Sequence, residues 1–80
     1  MIPKMSIQDA IQAIKDSTEI SNYKLAKVLG LKQQIMITRY LNGEVRSVNI
    51  KVAYAIYKHY EILVDSFNSV EELEACYEAL

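Results

Sequence analysis

Two adjacent glutamines, Gln33 and Gln34, and a threonine shortly after, Thr38, stand among cations at Lys24, Lys32, Arg39 and Arg46. The chemistry open to such a set is hydrogen bonding to flat polar edges and to anions. A carboxamide can bond N6 and N7 of adenine together, a pairing no other base offers in the major groove. A threonine can bond a base edge or place its methyl on a thymine methyl. Lysines and arginines hold phosphates, which adds affinity without sequence information. Ser21 and Asn22 stand where a helix would begin, so their backbone N–H groups form a further phosphate site. If the segment forms the groove-reading helix of a DNA-binding motif, base contacts are expected from Gln33, Gln34 and Thr38, and phosphate contacts from Ser21, Asn22, Lys24, Lys32, Arg39 and Arg46. Outside such a setting, a Gln-Gln pair is ordinary solvated helix surface.

Catalytic groupings are not visible. The chain has one histidine, His59, and one cysteine, Cys76. It holds no paired carboxylates, no Cys-His arrangement and no glycine-rich phosphate loop. His59 reads as a helix-surface residue and Cys76 as a small apolar residue of the last helix. No enzymatic activity, metal, cofactor or small-molecule ligand is expected.

Net charge is −1, but the charge is not evenly spread. Residues 22–51 carry Lys24, Lys27, Lys32, Arg39, Arg46 and Lys51 against Glu44, a net of +5. Residues 52–80 carry Lys58 against Glu61, Asp65, Glu71, Glu72, Glu74 and Glu78, a net of −5. A basic patch binds phosphates even when the total charge is near zero. The glutamines lie inside the basic segment.

Eighty residues, 51% apolar and 24% charged, suit one small globular domain spanning 1–80. No apolar run approaches the roughly 20 residues needed to cross a bilayer. The N-terminus has no apolar signal core, and a lone cysteine forms no internal disulfide. A cytoplasmic location without membrane association is expected.

With one proline and two glycines, Gly30 and Gly43, the chain favours helices. Ser6 caps a first helix from about Ser6 to Ser17, with Ile7, Ala10, Ile11 and Ile14 at helical spacing. Ser21 caps a second, whose apolar positions are Tyr23, Leu25, Ala26, Val28 and Leu29, and Gly30 stops it. Asn49 caps a fourth, with Val52, Ala53, Ile56, Tyr57 and Tyr60 inward. Ser69 and Glu72 have capping-box spacing and open a last helix over about 69–80.

The third element is ambiguous. Asn42-Gly43 between runs rich in Ile, Val, Thr and Tyr is a hairpin signal. A two-residue loop there would set Arg39 directly opposite Arg46 among apolar residues, which is destabilising. As a helix from about Gln33 to Leu41, the segment gathers Met36, Ile37, Tyr40 and Leu41 on one side. Gly43 then ends the helix in the left-handed conformation. The helix is the better reading.

On this reading KLAKVLG, Lys24 to Gly30, followed by Leu31, resembles the phage repressor and Cro-type helix-turn-helix regulators. Ala26 matches the small residue packed against the second helix of that motif, and Gly30 matches its turn. TRYLNG, Thr38 to Gly43, resembles the end of a recognition helix. NIKVAYAIYKHYEILVDSF resembles the family's fourth helix and short fifth turn. The resemblance spans about Ser21 to Phe67, with the motif at about 21–43. It implies an all-α, lambda repressor-like bundle of about five helices, with the recognition helix in the major groove of double-stranded DNA.

Two departures stand out. Glu61 replaces a frequent glycine. One residue is also added between Gly30 and the Asn-Gly pair. If the addition lies in the turn, Ile37, Tyr40 and Leu41 are core, and Ile35 and Arg39 face outward with Thr38. If it lies at the helix end, Met36 and Tyr40 are core, and Gln33, Gln34 and Ile37 face outward with Thr38.

The resemblance implies a small phage- or prophage-type transcriptional regulator, acting on an operator as a homodimer or dimerising only on DNA. Val70, Leu73, Tyr77 and Leu80 form a stripe that either closes the core or meets a second copy. An antirepressor of the same fold, or an antitoxin-like regulator, is the alternative.

Overall fold

The computed structural model describes residues 1–80. Five helices form: α1 (Ile7–Thr18), α2 (Asn22–Val28), α3 (Ile35–Leu41), α4 (Ile50–Tyr60) and α5 (Val70–Glu78). Two short strands, β1 (Lys4–Met5) and β2 (Leu63–Val64), join them. Seventeen buried residues, all apolar or aromatic, make one core. None of the helices is long and apolar enough to cross a membrane.

Four helices begin at a side chain that satisfies a free N–H of the first turn. Ser6 Oγ accepts from Asp9 N–H at 3.1 Å, and Ser21 Oγ from Lys24 N–H at 3.2 Å. Asn49 Oδ1 accepts from Val52 N–H at 2.8 Å, and Ser69 Oγ from Glu72 N–H at 3.1 Å. The return arm of the expected capping box is displaced by one residue. Glu72 Oε2 accepts from Asn68 N–H at 2.6 Å rather than from Ser69.

The inward faces follow helical spacing. Ile7, Ala10, Ile11 and Ile14 of α1 are buried, as are Val52, Ala53 and Ile56 of α4. Helix α1 packs on α3, α2 on α3, and α4 on α5. Tyr23 departs from expectation: it is 56% exposed, with Lys27 Nζ 4.8 Å from its ring centroid. Its phenol keeps its hydration while the ring takes a cation.

The fold is mostly helical rather than all-α. β1 and β2 pair in parallel, Lys4 opposite Leu63 and Met5 opposite Val64. Leu63 N–H donates to Pro3 O and Asp65 N–H to Met5 O, both at 2.9 Å. This pairing ties the N-terminal segment to the chain leaving α4. Strands of two residues leave no alternation to read in the sequence.

On α5, Leu73 is fully buried and closes the domain's own core. Tyr77 and Leu80 stay 39% and 66% exposed. The apolar stripe is thus split, and a charge placed at Leu73 would break the core rather than a dimer contact.

Two helices end on glutamates in the left-handed region, Glu19 at φ 55° and Glu61 at φ 56°. A side chain with Cβ is strained there by roughly 1–2 kcal/mol. Glycine relieves that strain but costs about 0.5–1 kcal/mol through the freer unfolded chain. Glu61→Gly is therefore expected to stabilise the fold, by up to about 1 kcal/mol in urea unfolding. A lower urea midpoint than the native chain would contradict this account of the α4 terminus.

Candidate nucleic-acid interface

Helix α2 is seven residues long, and its inner side is set by Leu25 and Ala26, with Leu29 just after, all buried. It ends in a Schellman turn: Leu31 N–H donates to Ala26 O at 2.8 Å and Gly30 N–H to Lys27 O at 3.2 Å. Gly30 sits at φ +73°. A Cβ there would meet nothing within 4 Å, so backbone conformation, not space, favours glycine.

Helix α3 closes the same way. Glu44 N–H donates to Arg39 O at 3.0 Å and Gly43 N–H to Tyr40 O at 3.1 Å, with Gly43 at φ +75°. Asn42 has φ −83°, so the Asn-Gly pair is a helix end and not a hairpin turn. Gln8 of α1 supports this end by donating from Nε2 to Leu41 O at 2.9 Å. A Cβ on Gly43 would come within 3.3 Å of Gln8 Oε1, a tight contact that would press on the Gln8 side chain, while the positive φ is what favours glycine there.

The added residue lies in the turn. Ile37 is fully buried, Tyr40 is 3% exposed, and Ile35 is 47% exposed. The first of the two registers therefore holds, except that Leu41 is half-buried against the core rather than within it. Helix α3 starts at Ile35, two residues later than the expected Gln33. Gln33 and Gln34 lie in the entry turn, where their carbonyls accept from Met36 N–H at 3.3 Å and Ile37 N–H at 3.0 Å. Both residues are exposed. Gln34 occupies the N-cap position but makes no side-chain cap bond, so its carboxamide is free.

Of the expected phosphate-binding cations, Lys24, Lys32, Arg39 and Arg46 are all exposed. Lys32 precedes α3, Arg39 lies in its last turn and Arg46 follows its exit. Arg46 lines an open cleft of about 340 Å³ with Ser6, Gln8, Gly43 and Asp65. The Asp65 carboxylate in that lining weakens the local positive potential. Lys51 lines a different cleft, with Tyr54, Lys58 and Tyr77. The basic segment is therefore not a single patch.

Asn22 and Thr38 are engaged with each other. Their side chains meet, Asn22 Nδ2 donating to Thr38 Oγ1 at 3.4 Å, and both residues are half-buried. Asn22 Oδ1 in turn accepts from Lys15 Nζ, which also donates to Ile20 O at 2.9 Å. Ser21 spends its hydroxyl oxygen on the cap. Sequence reasoning did not single out Lys15. Its only signal was a cation in the last turn of a helix, where it suits the dipole.

No family model, no characterised protein and no solved structure matches the chain.

Tyr40 anchors α3, and burial raises its phenol above the ordinary tyrosine value of 10.0. The unfolded chain then loses this proton at lower pH than the folded one. Stability owed to Tyr40 is constant below about pH 10 and falls as pH rises toward the folded value. Burial raises Tyr60 in the same direction. Tyr40→Phe should melt near the wild type at pH 8 and lose less stability than wild type by pH 10.5. An equal alkaline loss in both proteins would contradict the buried phenol.

Proposed function

We propose that the chain binds double-stranded DNA in a sequence-specific way, as a small transcriptional regulator of the phage repressor type. On this reading α2, the Gly30 turn and α3 form a helix-turn-helix. The observation that carries it is the two-sidedness of α3 and its entry turn. Ile37 and Tyr40 are held in the core, while Gln33, Gln34, Ile35 and Arg39 remain in solvent, as do Lys24 and Lys32. At ~1.5 Å per residue, α3 is about 10 Å long, and on this reading it lies in a major groove with its N-terminal residues toward the base edges.

The roles follow from chemistry. Gln33 and Gln34 come first and meet base edges, with adenine their best partner. Ile35 presses on a thymine methyl. Lys24, Lys32 and Arg39 hold phosphates, joined by the backbone at Ser21 and Asn22, and Arg46 does so at the far end despite Asp65. So short a reading head covers only a few base pairs, and a two-fold homodimer on paired half-sites supplies the rest. Tyr77 and Leu80, exposed beside Glu78, are the candidate dimer contacts, with assembly favoured on the operator. The same acidic, partly apolar end supports the second reading, a module of this fold that holds a protein partner.

Two measurements test the DNA reading. With about four phosphates neutralised per protomer, log K should fall with log salt at a slope near −3.6 per protomer. On a duplex selected from random sequence, Gln34→Ala should relax preference at one base pair by roughly 1–3 kcal/mol. Arg39→Ala should weaken all sequences alike. Absence of duplex binding at about 50 mM salt, where phosphate contacts are strong, would remove the proposal. Equal losses for both variants on every sequence would remove the base-reading role of Gln34.

A further inference from the structure

The Lys15–Asn22–Thr38 chain crosses three helices and ends on the outward side of α3. Lys15 belongs to the last turn of α1, Asn22 is the first residue of α2, and Thr38 is the fourth residue of α3. Each link has a fixed polarity. An ammonium only donates, so the atom of Asn22 that faces Lys15 must be the carbonyl oxygen. Lys15 Nζ meets that oxygen at 2.5 Å and is held in place by Ile20 O at 2.9 Å. The amide nitrogen is thereby turned toward α3, where it stands 3.4 Å from Thr38 Oγ1. An amide nitrogen also only donates, so Thr38 must accept.

A threonine hydroxyl that accepts one bond still has its own proton to give. Helical threonines often return that proton to the carbonyl one turn back. Thr18 does so, donating to Ile14 O at 2.7 Å. The Thr38 hydroxyl makes no such bond; the one side-chain hydrogen bond of Thr38 is the one it accepts from Asn22. It remains half-exposed, next in sequence to the exposed Arg39.

We propose that Lys15 is a positioning residue which, through Asn22, biases Thr38 toward donating a hydrogen bond to DNA. Thr38 then selects an acceptor at its base: guanine O6 or N7, adenine N7, or thymine O4. The cytosine N4 amino group is disfavoured, because as a donor it could use only the hydroxyl's remaining lone pair and would leave the hydroxyl proton without a partner. This inference rests on the DNA reading above. It assigns part of the base selectivity to a lysine that need not touch the nucleic acid.

The test compares relative affinities for all four bases at each position of a selected duplex, at fixed salt. Thr38→Val, Lys15→Met, Lys15→Arg and the double variant Lys15→Met/Thr38→Val are measured alongside wild type. Thr38→Val should lose about 3- to 10-fold of preference at one base pair, the scale of one net hydrogen bond. Lys15→Met should lose it at the same base pair, and the double variant should lose no more than Thr38→Val. Lys15→Arg, which keeps a cationic donor, should retain most of it.

Asn22→Asp gives a second route that keeps the pairing with Lys15. Its carboxylate cannot donate to Thr38 and takes the hydroxyl proton instead. The preference should then shift away from acceptor-bearing bases, on top of a general weakening from the added negative charge. This variant decides the matter should Lys15→Met fail to fold. If wild type is selective, and Lys15→Met and Asn22→Asp weaken every sequence with the preference unchanged, the inference is overturned and the DNA reading stands. If wild type binds no duplex, both fall.

Discussion

The burial of Ile37 and Tyr40 fixes the rotation of α3, and the candidate interface depends on that rotation. Seven residues make about two turns, too few for a helix to hold its shape alone in water. The helix is held by its neighbours instead. Ile37 and Tyr40 join the core, α1 and α2 pack on α3, and Gln8 binds the Leu41 carbonyl. Once those two side chains are inside, geometry places Ile35 and Arg39 outside. The glycines at 30 and 43 end α2 and α3 with reversed backbone at little strain. Where α1 and α4 end on Glu19 and Glu61 instead, the fold carries a modest local cost.

Polarity follows the same division. The solvent side of α2, the turn and α3 carries lysines, glutamines and an arginine, while Glu71, Glu72, Glu74 and Glu78 all lie on α5. Within the cationic side, the half-buried Lys15 differs from the rest. Its ammonium is already spent on protein acceptors, so its influence passes through the orientation of Asn22. An exposed lysine such as Lys24 or Lys32 is free to follow whatever anion arrives.

Much of the helical frame was legible because its signals are local. Ser6, Ser21, Asn49 and Ser69 each cap as their sequence context indicates. The choice between hairpin and helix around Asn42-Gly43 was decided by charge, since a hairpin would have opposed Arg39 and Arg46. What the sequence hid was non-local or very short. Strands of two residues have no period, and their pairing joins positions almost sixty residues apart. The register of α3 needed the depth of the core to choose between Ile35 and Ile37. The bond from Asn22 to Thr38 spans sixteen positions, and nothing in either neighbourhood announces it. Thr38 was identified as a polar residue of the interface, but its engagement by Asn22 was not foreseen. Tyr23 shows the limit of apolar pattern matching, since an aromatic ring fits a surface equally well when a lysine covers it.

The central claim is that α2, the turn and α3 form the face that meets duplex DNA. Backbone amide chemical-shift mapping tests it most directly. The isotopically labelled chain would be titrated with a short duplex at about 50 mM salt, where phosphate contacts are strong. On a duplex long enough for only one protomer, the account predicts shifts concentrated at Ser21 to Lys24, at Lys32 to Arg39 and at Arg46, with α5 unmoved. No shifts at all, or shifts centred on Tyr54, Lys58 and α5, would contradict it.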